Sequence, residues 1–133
     1  MNRLDVKFLL LAAIMLTAGV TLGVAMGIRH DFALAPVHAN INLVGWASLA
    51  LFGIVYKLYP EMARSRLAAL HFILAAPSAV LFPIGIALSM LYDRPLVAIL
   101  AALLWLAGVL LFLIQMIALT FRRAPGFTLA AAE

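Results

Sequence analysis

The chain has 133 residues, of which 68% are hydrophobic and only 11% charged, with a formal net charge of +4 and no cysteine. That balance excludes an ordinary soluble domain of this length and leaves an integral membrane protein. Without cysteine there is no c-type haem attachment, thiolate metal site, iron–sulfur cluster or disulfide, and basic residues at span ends are explained by topology and lipid headgroups, so no nucleic-acid partner is expected.

The first apolar run, 8–28, follows a short basic start. It has the look of a signal peptide, but about 21 apolar residues is the length of a bilayer span, and it is read as helix 1. Gly19, Gly23 and Gly27 recur every fourth residue and strip one flank of side chains, so another backbone can approach closely. That approach serves either packing within the chain or contacts between copies.

A loop over 29–35 carries Arg29, His30 and Asp31, and Pro36 then suits the first turn of helix 2, predicted over 36–58. A polar connection, 59–66, leads to helix 3 over 67–91, where Pro77 and Pro83 predict a bend. A turn at 92–95 precedes helix 4, over 96–121, which Arg122 and Arg123 end, and the tail to Glu133 is expected to fray. The expected fold is an all-α, single-domain, four-helix transmembrane bundle of up-down topology. Arg3, Lys7, Lys57, Arg64, Arg66, Arg122 and Arg123 fall on one side and only Arg29 and Arg94 on the other, which predicts cytoplasmic termini.

Helix 2 holds the polar residues that cost most to place in a bilayer, namely His38, Asn40 and Asn42. At 100° per residue, His38, Asn42, Gly45, Leu49, Phe52 and Tyr56 share one stripe, while Asn40 points nearly the opposite way. Gly45 and Phe52 below the histidine give the kind of clearance a flat macrocycle needs. The alternative is that the polar groups bond neighbouring helices or sit at headgroup level. His71 lies roughly 20 Å deeper than His38 along the membrane normal, too far to share a metal with it. His30, the same His38 of a second copy, or a thioether from Met26 or Met90 remain as second ligands. His71, Trp46 and Trp105 read as packing or interfacial residues, and Gln115 as an interhelical hydrogen-bond donor.

The stretch 37–61, VHANINLVGWASLALFGIVYKLYPE, resembles the second transmembrane helix of the large subunit of the haem–copper oxidase superfamily, nearest the nitric oxide reductase branch. The likeness covers about 25 residues, roughly a fifth of the chain. It implies that His38 is an axial ligand of a haem b, to which the helical stripe adds Asn42 and Gly45, and the neighbouring loop His30, as candidate cofactor-binding positions. Small four-helix relatives often carry His-x-His here, and Asn40 replaces the second histidine, which puts a second haem on that side in doubt. Likeness to one arc of a catalytic subunit built from three arcs implies a homo-oligomer, a trimer first, in a bacterial inner membrane with a respiratory-chain partner. The family's other metal histidines and active-site tyrosine arrangement are missing, so oxygen or nitric oxide reduction is not expected. The resemblance therefore implies a small b-type haem protein for electron transfer or for haem or gas sensing. The alternatives are a cofactor-free structural or assembly subunit of a respiratory complex, and a copper site built from His38 of several copies.

Overall fold

A computed structural model describes residues 3–121. Four helices are each long and apolar enough to cross a bilayer, which makes the chain a multi-pass membrane protein: α1 (Leu4–Arg29), α2 (Ala35–Leu58), α3 (Arg66–Tyr92) and α4 (Leu96–Thr120). At 1.5 Å per residue each reaches about 36–40 Å, enough for the hydrocarbon core and part of the headgroup layer. The tail beyond 121, including the expected helix end at Arg122 and Arg123, lies outside the described residues.

The boundaries follow from local chemistry. His30 ends α1 and Asp93 ends α3, each in the left-handed conformation with φ of 50° and 53°. Pro36 stands in the first turn of α2, where its missing N–H is not needed. The connection after α2 is not wholly irregular, since Pro60–Ala63 forms one further helical turn. Ser65 caps α3, its hydroxyl accepting the Ala68 N–H at 3.1 Å. The α3 backbone stays helical through both Pro77 and Pro83, with Pro83 buried and Pro77 on the outside.

α2 is not a uniform α-helix. Ile41–Ser48 winds as a wider π-type segment between α-helical ends, and Ser48 Oγ donates to the Leu43 carbonyl five residues back at 2.8 Å. Such segments, bonded i to i+5, are rare and frequently occur at functional sites.

α1 packs along α2 and α3 along α4, and the two pairs meet both where Ala35–Asn40 lies against α3 and, through a ring cluster, at the end that carries the N-terminus. There Phe8, Phe52, Tyr56, His71, Phe72 and Phe112 interlock, with Phe8 and Tyr56 stacked at 5.5 Å and Phe8 edge-on to Phe72 at 4.9 Å. Ring pairs of this kind each add about 0.5–1.5 kcal/mol beyond their contact area. Asp5 holds the rim of that end, 3.9 Å from both Arg3 and Lys57. Trp105 leans on this core through Phe52, whereas Trp46 is 41% exposed on the outer surface of the bundle.

Candidate functional site

Two groups of polar side chains lie within the spans, at opposite depths. The one at the end away from the N-terminus is built on the glycine flank of α1. Gly23 leaves room for the His38 imidazole, since a Cβ there would stand 2.8 Å from Cε1. Gly19 does the same for Asn42, whose Oδ1 would lie 2.6 Å away. The glycines at 19 and 23 therefore serve contacts within the chain, and Gly27, with nothing near a Cβ, does not.

His38 Nδ1 lies 2.9 Å from the Gly19 carbonyl. A carbonyl only accepts, so Nδ1 carries the proton and Nε2 keeps its lone pair. Asn42 Nδ2 donates to the His38 carbonyl at 2.9 Å and reaches Nε2 at 3.3 Å. A fixed tautomer with its other nitrogen on a backbone carbonyl is the arrangement that orients metal-binding histidines. Asn40 turns back on its own helix, donating to the Pro36 carbonyl at 2.9 Å.

The clearance expected below His38 is absent. Gly45 is buried against Met15, whose Cβ and Cγ stand 3.0 Å from where a Cβ would be, so the thioether of α1 fills the gap. The large cavities do not border His38 either. One of about 350 Å³ lies among Met15, Val37, Ile41, Pro83, Ala87 and Tyr92, and another of about 670 Å³ lies on α1 beside Ile14, Thr17 and Thr21. A haem fits this site as far as ligand chemistry goes, at His38 Nε2, but its cradle does not close within one chain. His30 caps α1 with its side chain exposed. No three histidine or carboxylate side chains cluster among the described residues.

The group at the end that carries the N-terminus was legible only in part. Gln115 is the interhelical donor expected of it, its Nε2 reaching Tyr56 Oη at 3.1 Å. Ser65 Oγ donates to Gln115 Oε1 at 3.3 Å, and Tyr56 Oη lies 2.8 Å from His71 Nδ1. Tyr56 Oη accepts from the Gln115 amide, and His71 Nδ1 is the acceptor within reach of its own proton; with that bond made, His71 Nε2 bears the imidazole proton. That Nε2 is buried without a hydrogen-bond partner. The His71 ring instead stands edge-on to Phe52 at 4.6 Å and beside Phe8 and Phe112, a ring cage in which N–H to π contact is the only stabilisation left. His71 is thus a fully enclosed packing residue rather than an interfacial one. The signal available in the sequence was depth: Tyr56, His71 and Gln115 all lie within about one and a half turns of the helix ends on the same side of the bundle.

Fold and site together define a polytopic helical membrane protein with one oriented histidine near the end away from the N-terminus and a buried polar chain near the end that carries it. No family model, curated protein or solved structure matches the chain.

Proposed function

We propose that this chain is a subunit of a bacterial inner-membrane b-type haem protein, in which His38 Nε2 is one axial ligand and a second copy of the chain, in a trimer, completes the cradle. The observation that supports this reading is the 2.9 Å bond between His38 Nδ1 and the Gly19 carbonyl, which fixes the tautomer a ligand needs. Bound haem would supply a one-electron couple, for transfer to a respiratory partner or for haem or gas sensing. The chain's own part is to hold the ring between Gly23 and Asn42, to keep water from it, and to give up the weak 3.3 Å contact from Asn42 on ligation.

The visible spectrum of protein purified in detergent after expression with haem supplied tests this. A Soret band with sharp reduced α and β bands is expected, lost in His38→Ala. Gly23→Ala, whose Cβ would meet the imidazole at 2.8 Å, is expected to shift or weaken those bands by moving the ring. His30→Gly keeps the left-handed turn at φ 50° and deletes only the imidazole. Unchanged bands in that variant assign the second ligand to another copy or to a methionine. Colourless protein defeats the reading.

A cofactor-free structural or assembly subunit of a respiratory complex is favoured instead by Met15 filling the space at Gly45, and by the hydrogen bonds of His38 and Asn42 closing within the chain. A colourless, stably folded protein in the same experiment is its expected result.

A further inference from the structure

The membrane face that carries the N-terminus is basic among the described residues. Arg3, Lys7, Lys57, Arg64 and Arg66 stand there against Asp5 and Glu61, whereas the opposite face balances Arg29 and Arg94 against Asp31 and Asp93. Asp5 is already engaged by Arg3 and Lys57. Arg64 and Arg66, both exposed, flank a cavity of about 330 Å³ whose other walls are Leu4, Ala63, Ser65 and Ala69. The cavity thus pairs two guanidinium groups with a floor of apolar atoms at the end of a transmembrane helix.

A floor of that kind does not suit a soluble anion, which gains nothing from apolar walls. It suits a group whose charged end is tied to hydrocarbon and whose hydrocarbon continues into the bilayer. Guanidinium forks match phosphate oxygens in geometry and in charge. Basic pockets between transmembrane helices at a charged leaflet are a recurring means of holding anionic headgroups. We propose that the cavity between the start of α1 and the start of α3 binds the phosphate of an anionic phospholipid, with Arg64 and Arg66 as the charge-pairing residues and Leu4, Ala63 and Ala69 against the glycerol and upper acyl chain. This site lies at the other end of the bundle from His38 and does not depend on haem.

Native mass spectrometry of the full chain in detergent tests it, with phosphatidylglycerol and phosphatidylcholine of identical acyl chains as probes. Phosphatidylglycerol is expected to be retained in preference, and the paired variant Arg64→Gln/Arg66→Gln to lose that preference by about 25-fold, taking roughly fivefold for each basic residue near a charged surface. Arg94→Gln, on the opposite face, is expected to leave it unchanged. Circular dichroism and monodispersity of each variant establish that the fold is intact. Equal retention of the two lipids, or unchanged preference in the folded paired variant, overturns the assignment. Displacement of the lipid by millimolar inorganic phosphate overturns the lipid source and leaves a soluble phosphate ligand.

Discussion

Gly85→Ala is expected to force α3 and α4 apart and to be among the most damaging single substitutions in the chain. A Cβ at Gly85 would meet the backbone of the facing helix, with Ala98 Cα at 2.6 Å and the Val97 carbonyl carbon at 2.8 Å, besides the Ala98 nitrogen. Backbone cannot swing away as a side-chain tip can, so the helices themselves must shift. Overpacking of this kind costs about 1–3 kcal/mol, and rigid neighbours place this case at the upper end. Gly108→Ala is the control on the same helix pair, since its nearest neighbour, Ala75, stands at an ordinary 3.5 Å. Midpoints of unfolding in a detergent titration should fall clearly for Gly85→Ala and stay near the parent for Gly108→Ala. Equal midpoints for the two would contradict the close crossing of α3 and α4.

Tyr56→Phe is the second large effect expected. The hydroxyl it removes receives the Gln115 amide at 3.1 Å and meets His71 Nδ1 at 2.8 Å, so both partners lose a bond in an enclosed site. A buried polar group left without its partner costs about 1–3 kcal/mol, although interhelical hydrogen bonds in membranes average nearer 0.6 kcal/mol. A loss of about 1–2 kcal/mol is therefore expected. The cost arises from the group left behind, so Tyr56→Phe/His71→Phe should be less destabilised than the sum of its single variants. His71→Phe alone removes the unpartnered Nε2 from a cage of rings and should cost less than Tyr56→Phe. A strictly additive double-mutant cycle would show that the tyrosine and histidine do not interact.

These two expectations mark where the sequence was readable. Four spans could be drawn because bilayer thickness sets a length that the apolar runs meet, and the ends fell within a few residues of Arg29, Tyr92 and Leu96. The helical stripe through Leu49, Phe52 and Tyr56 is indeed the buried face of α2. The spacing of Gly19 and Gly23 announced a close approach but not its partner, because helix periodicity names a face without saying what it meets. For the same reason the space at Gly45 could be read as room for a macrocycle, whereas tertiary packing puts Met15 there. The Tyr56, His71 and Gln115 chain was hidden more deeply, since its links join residues 15 and 59 apart in the sequence. The π-type winding of Ile41–Ser48 had no recognised signal in composition or period.

The interlocked rings and the Asp5 ion pairs all belong to one end of the molecule, while toward the other end, where Ala35–Asn40 also packs against α3, an apolar cavity of about 350 Å³ lies along Val80–Tyr92. The bundle is thus locked by rings and charge at one end and held by aliphatic contacts around a gap at the other.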